Sequence, residues 1–281
     1  MEEIGFLDSM FVWRDAMIVA ILSAAALAYL GVWIVLKRVV FVPLALSQVS
    51  SFGLVLAAFL GGLLEKDAAH AHESGDSFDA LLLSVVVSVI LGVWLARPRE
   101  EGSQAVVSAY LMASAGVLLV GNLITDKLHD VESVLFGSAV LVETHQIFIV
   151  GGAALLVALI HFLYYRRFLF VSFDADAAGA TGIPVFSTEA LLISSFALMI
   201  SVVTQAIGAL PAFGLMVLPG MFALRMARSM RGAFVLAVLL GILSAGLGYY
   251  LSFQFDTPTG ATMVGLSALG YLGSLGVSRP H

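Results

Sequence analysis

MIVAILSAAALAYLGVWIVLKRVVFVPLALSQVSSFGLVLAAFLGGLL, residues Met17 to Leu64, holds two uncharged apolar runs, Met17–Leu36 and Phe41–Leu64, separated by Lys37 and Arg38. Each run reaches the ~20 mostly apolar residues that a helix needs to cross the hydrocarbon of a bilayer. Lipid offers unpaired backbone groups no partner, and a helix satisfies its hydrogen bonds within one segment. The pair therefore predicts two membrane-crossing helices that turn at a basic boundary.

The same pattern recurs outward from this stretch. Spans are expected at Ala80–Ala96, Ala105–Ile124, Ile147–Tyr164, Ala190–Leu210, Gly232–Phe253 and Ala261–Val277. The segment Pro211–Leu224 is shorter and contains Gly214, Pro219 and Gly220. It reads as a broken or re-entrant helix, or as a tilted further span, because helix breakers are tolerated at membrane depth where protein or a water-filled cavity surrounds them. The expected fold is all-α, a polytopic transmembrane helical bundle of about eight or nine spans, with residues 1–281 forming a single membrane domain.

Composition agrees. Hydrophobic residues make up 60% of the chain and charged residues 11%, with a mean hydropathy of +1.05, whereas a soluble domain carries about a quarter charged residues. The net charge of -6 resides in short segments between apolar runs, so it is a property of loops. No basic tract with interleaved aromatics occurs, which argues against a nucleic-acid partner. The absence of cysteine removes disulfides, thiolate ligands and cysteine nucleophiles. Glu2, Glu3, Asp8 and Asp15 stand against Arg14 alone at the amino end; a cleavable signal peptide opens with positive charge, so the first apolar run reads as a retained span.

Short cytoplasmic loops hold the excess of Lys and Arg. Lys37 and Arg38, Arg97 and Arg99, Arg166 and Arg167, Arg225, Arg228 and Arg231, and Arg279 all fall on one face if about nine crossings are made. That face is expected to be cytoplasmic, in a bacterial-type plasma (inner) membrane. The opposite face receives the acidic, His-containing loop Glu65–Asp79 and the segment Asp126–Glu143. Small residues at helical spacing, Gly241 with Ala245 and Ser244 with Gly248, allow close helix approach inside the subunit.

The longest polar interruption on the basic face is RRFLFVSFDADAAGATGIPVFS, residues 166–187. Ser172 or Asp174 can cap a short helix through Ala177 and Ala178, Gly179 or Gly182 can end it, and Pro184 prevents its continuation. Such a helix can dock a soluble partner or serve as a solvated connector.

Here the residues resemble a family. VSFDADAAGATGIPV (171–185) is similar to the cytoplasmic coupling segment in permeases of zinc, manganese and iron ABC importers, whose pattern is roughly S-F-D-x-x-x-A-x-x-x-G-x-P-V. FDTPTGATMV (Phe255 to Val264) resembles the family's D-x-P-T-G-A-T motif, DVESVLFGS (Asp130 to Ser138) its D-x-x-S-x-L-F-G segment, and Gly208 through Pro219 to Arg228 its G-x-L-L-V-x-A-L-L-V-x-P stretch followed by A-R. The resemblance implies a permease subunit that imports a transition-metal ion by alternating access. It implies partners too: a cytoplasmic ABC ATPase dimer carrying ATP and magnesium, an extracytoplasmic substrate-binding protein, and a second permease copy. No G-x-x-x-x-G-K-[ST] phosphate loop occurs in the chain, so nucleotide chemistry is expected on another polypeptide and none of the chain's residues is expected to be catalytic. By resemblance, Ser172, Phe173, Asp174, Ala178 and Gly182 take contact roles toward the ATPase.

One departure bears on the cargo. Family members commonly carry G-D-A-L-S-H-A in the second span, an Asp and a His one turn apart that suit a divalent metal. The matching residues here run from Pro43 to Val49, with Leu44 in the Asp position and Gln48 in the His position. What remains is a neutral face of Ser47, Gln48 and Ser51, able to line a path or to bond a neighbouring helix. Phe213 and Phe222 stand where relatives tend to carry small polar groups. His70 and His72, with Glu65, Asp67, Glu73 and Asp76, are ligand types suited to loose zinc or manganese capture, although a solvated acidic loop is the plainer reading. His129 and His145 flank the outer acidic segment, His161 reads as an interfacial side chain, and Asp256 as a capping residue. Three functions compete: metal-ion import, import of a metal chelate or neutral polar solute, and a non-transporting membrane scaffold. An intramembrane enzyme is disfavoured because H-E-x-x-H is absent and Ser267 has no evident His partner.

Overall fold

A computed structural model describes residues 10–64, 73–97, 102–123 and 144–276. Its helices are α1 (Met10–Leu36), α2 (Val42–Leu64), α3 (Glu73–Leu95), α4 (Gly102–Leu123), α5 (Thr144–Phe173), α6 (Ala175–Ala180), α7 (Val185–Ile207), α8 (Ala209–Met226), α9 (Met230–Phe255) and α10 (Thr259–Leu275). No strand occurs among the described residues. Eight of these helices, α1 to α5 and α7 to α9, are long and apolar enough to cross a membrane. At 17 residues, α10 is about 25 Å long and packs beside α8 and α9.

Helix directions follow from side-chain pairs. Trp13 lies against Tyr249 and Trp33 against Phe234, so α1 and α9 are antiparallel over their length. Gly248 packs on Met263 and Gly270 on Leu240, which sets α9 antiparallel to α10. Gly214 touches Val264, and the Arg225 guanidinium donates to the carbonyls of Ser274 and Leu275, so α8 and α10 run parallel and end together. Thr144 donates to Asp15 at one end of α5 while Phe168 meets Trp33 toward the other, so α5 runs parallel to α1. Lys37, just past α1, pairs with Glu189 in the first turns of α7.

These pairings, with Gly92 of α3 against Ile193 and Ala197 of α7, place Lys37 and Arg38, Arg97, Arg166 and Arg167, and Arg225, Arg228 and Arg231 at one end of the bundle, as the charge pattern predicts. They also decide the Pro211–Leu224 segment. It belongs to α8, a separate 18-residue helix that starts at the end of α7 opposite the basic face and returns to that face. Gly208 alone joins the two helices, at φ +92°, donating to the Thr204 carbonyl and accepting from the Ala212 amide. Pro219 lies inside α8, where it withholds one backbone donor.

Helices α1, α7 and α8 form the buried centre, with Trp33, Leu27, Phe196, Met199, Ile200 and Leu215 fully enclosed. Along the periphery, α4 and α5 turn Met112, Leu119, Phe148, Leu155 and Phe162 outward. Such an apolar surface suits lipid or another membrane helix and is intolerable in water. Gly241 meets Ala24 and Ala28 of α1, and Gly248 meets α10, so both small-residue pairs read from the sequence serve packing within the subunit.

Candidate functional site

Helix α5 leads to the basic end of the bundle. Its 30 residues span about 45 Å, against a hydrocarbon core of about 30 Å. The chain then leaves the helix at Asp174, whose extended backbone (φ −152°, ψ 96°) lets its carboxylate accept from the Ala177 amide at 2.9 Å. This is an N-cap, and it starts α6; of the two caps considered, Asp174 is used and Ser172 closes the last turn of α5 instead. The short helix ends at Thr181, whose hydroxyl donates to the Ala178 carbonyl. Gly182 follows at φ +84°, a left-handed conformation that a β-carbon would strain. The Ile183 amide reaches back to Ala178, and Pro184 opens α7.

The structure distributes the five predicted contact residues unequally. Phe173, Asp174 and Gly182 are exposed, Ser172 is half-buried with its hydroxyl unpaired, and Ala178 is fully buried. The inward side of α6 thus seats on the bundle through Ala178, while α6 and the adjoining ends of α5 and α7 expose an apolar and acidic set: Phe170, Phe173 and Phe186 with Asp174 and Asp176.

In the first half of α2 the three candidate path residues separate. Ser47 and Ser51 are buried, and their hydroxyls donate to the backbone of α2 itself, at Leu44 (3.0 Å) and Ser47 (3.1 Å). Ser50 bonds Ser84 of α3 at 2.8 Å. Only Gln48 lies on a partly open side, one turn after Leu44, with its carbonyl 3.4 Å from the Ser114 hydroxyl of α4. Leu44 and Gln48 thus share the half-buried face of this stretch of α2. Phe213 and Phe222 are half-buried, and Phe222 packs beside Ala28, Val32 and Ala223.

No group of three His, Cys, Asp or Glu side chains able to hold a metal occurs among the described residues. The loop with His70 and His72, the segment with Asp126, His129 and Asp130, and the Asp130–Ser138 motif lie outside those residues. His161 is not interfacial. It is buried between α1, α5 and α7, with its ring edge-on to Tyr29, Trp33 and Phe168. The Ser195 hydroxyl spends its hydrogen on the Leu192 carbonyl, so His161 Nε2–H donates to Ser195 at 2.9 Å and Nδ1 is left bare. Asp256 ends α9 in the left-handed conformation and starts no helix; the turn after it is held by hydroxyls of Ser252, Thr257, Thr259 and Thr262.

Sequence reading missed Glu189, whose signal was a lone acid in the first turns of a span on an otherwise basic face, and the polar partners Ser84 and Ser114.

Residues 9–278 match the ABC 3 transport family. The manganese transport system membrane protein MntC of Halalkalibacterium halodurans is 26% identical over 252 residues, covering 89% of this chain and 82% of that protein. The chelated iron transport system membrane protein YfeD of Yersinia pestis is 28% identical over 267 residues, 93% of this chain and 84% of that one. Among solved structures, PsaBC from Streptococcus pneumoniae in complex with Fab superposes with a TM-score of 0.82 at 21% identity, over 97% of this chain and 95% of that one, so the two share a fold.

Proposed function

From its membership of the ABC 3 transport family, to which this multi-pass membrane protein belongs, we propose that the chain is the permease subunit of an importer that takes up a transition metal by alternating access. Residues 1–281 act as one membrane domain, with a second copy of the chain completing the path. An ATPase dimer docks on the basic, cytoplasmic face and hydrolyses ATP with magnesium, and a binding protein delivers cargo to the other face. One observation carries this reading: the capped helix α6, seated on the bundle through Ala178, turns Phe173, Asp174 and Gly182 outward where a motor can grip it. ATP-driven closure then biases the permease between states because the motor binds them unequally.

A second reading concerns the cargo. A bare divalent ion leaving water needs charged or imidazole ligands, and Leu44 with Gln48 offers neither charge nor imidazole where the family's Asp and His stand. That favours a metal chelate or another polar solute whose own oxygen shell travels with it.

Reconstitution with the ATPase and binding protein tests both. Substrate-stimulated hydrolysis and uptake of zinc, manganese or ferric citrate are expected, with the ion arms and the citrate arm separating the two cargoes. An ATPase that binds but is stimulated by none of them favours a scaffold and overturns the transport reading.

A further inference from the structure

We propose that the Lys37–Glu189 ion pair is a positioning strut that makes α1, and through it α8, follow the docking end of the molecule. The inference rests on the permease reading above. It is the one ion pair joining two helices among the described residues; the other, Arg14 with Asp15, lies between chain neighbours.

Both ends of the strut are held by the fold. On the Lys37 side, the Arg38 amide bonds Val35 O and the Val39 amide bonds Ile34 O, with Arg38 at φ +59°. This is the paired closure of a helix end by a left-handed residue, usually glycine. Here an arginine takes the strained position, and Lys37 is thereby fixed as the C-cap just past α1. On the other side, Thr188 donates to the Pro184 carbonyl through both amide and hydroxyl, which rigidifies the first turn of α7 beside Glu189. The Ile183 and Gly182 amides bond Ala178 and Gly179, so α6 and the start of α7 form one stiff piece.

The pair itself is short, 2.5 Å between Nζ and Oε1, and its side chains are only 10% and 20% exposed. Salt and water screen such a pair far less than a surface one, and removing one partner strands the other charge. Beyond Lys37, α1 touches α8 backbone to backbone: Gly31 lies against the Met216 carbonyl and Gly220 against Gly31. The end of α8 is tied in turn to α10 by Arg225. A displacement of α6 therefore reaches Glu189 rigidly, crosses to α1 through one charge pair, and passes into α8 by main-chain contact. Without the pair, only apolar packing resists slip between the starts of α7 and the end of α1.

The test compares Lys37→Glu, Glu189→Lys, their double swap and the neutral pair Lys37→Met/Glu189→Met in the reconstituted complex, with Asp174→Ala beside them. The measured quantity is uptake of zinc, manganese or ferric citrate per ATP hydrolysed, alongside ATPase retention and thermal melting. Each single reversal is expected to lower the ratio about 5- to 150-fold, the span of typical coupling free energies, with the ATPase still bound. The neutral pair should fold but stay uncoupled, and the swap should regain most of the ratio. An unchanged ratio in the single variants, a swap that regains nothing, or a fall that merely follows the folded fraction overturns the strut. If Asp174→Ala uncouples while Lys37→Glu does not, the permease reading stands and the strut falls. If the native complex takes up none of the probes and binds no ATPase, the permease reading itself falls, and the strut with it.

Discussion

Gly31→Ala adds one methyl group at the closest approach of two helices. A β-carbon built there sits 1.7 Å from the Met216 carbonyl oxygen and 2.8 Å from its carbon, whereas a carbon and an oxygen in contact keep about 3.3–3.6 Å. The obstacle is helical main chain, so no rotamer change relieves the overlap, and α1 and α8 must separate by roughly 1.5 Å or more. Gly220 blocks the alternative of a sideways slide, because its own methyl position lies 2.6 Å from the Gly31 carbonyl group. Overpacking usually costs 1–3 kcal/mol, and with backbone on both sides about 3 kcal/mol is expected. The control is Gly265→Ala, on an open side of α10 with no neighbour within 4 Å; there alanine should be neutral or stabilise by up to about 1 kcal/mol. Unfolding of both variants from mild detergent by titrated SDS gives the difference. A Gly31→Ala protein within about 0.5 kcal/mol of the Gly265→Ala protein, the ordinary range of surface changes, refutes the close packing of α1 on α8.

Gly182→Ala should impair coupled transport through backbone strain of about 1–2 kcal/mol, since its φ is +84° and no atom crowds the site; Gly182→Asn, which tolerates that conformation better, should retain more uptake per ATP. Ser50→Ala should destabilise by about 0.6 kcal/mol, the mean for hydrogen bonds between membrane helices, and Ser84→Ala added to it should cost little more, read by the same SDS titration. Leu44→Asp with Gln48→His, in the first two turns of α2, should destabilise the ion-free protein by less than the roughly 2.5–3.5 kcal/mol that a carboxylate costs at the centre of a membrane helix. If those positions share an open face, zinc or manganese should then raise its melting temperature and leave the native protein's unchanged.

Much of the fold was legible because the bilayer sets element length. The two runs in Met17–Leu64 became α1 and α2, with α2 matching to one residue and α1 ending at Leu36 as read but starting earlier, at Met10, and the basic clusters gave the alternation. Facing was not legible. A helix that is apolar all round, as α1 is, carries no stripe to say which side is inside. So the Gly31 contact with α8 was invisible, and His161 was placed by depth along its span when its direction around the helix axis decides its burial. The docking loop was read more fully, because caps and left-handed glycines are local chemistry: Asp174 and Gly182 do what their types allow. Ser47 and Ser51 show the same limit. Helical spacing put them on one face, but only the structure shows their hydroxyls folded back onto their own helix.

The two halves of the proposed mechanism rest on different parts of the molecule. The basic end holds the parts the proposed coupling needs: a capped helix, a glycine in the left-handed region, and an ion pair sheltered from solvent that leads inward. In the first two turns of α2, Leu44 and Gln48 put an aliphatic side chain and an amide where the resemblance implies a charged ligand pair. Stripping a divalent ion of water there would leave its charge uncompensated in a medium where ionic groups are costly, and one glutamine carbonyl already near Ser114 cannot offset that. A solute that brings its own oxygen ligands pays no such penalty, and it needs only a face that neither repels nor grips it. On energetic grounds the neutral face therefore suits a ligated cargo, while the docking end remains suited to an ATP-driven motor.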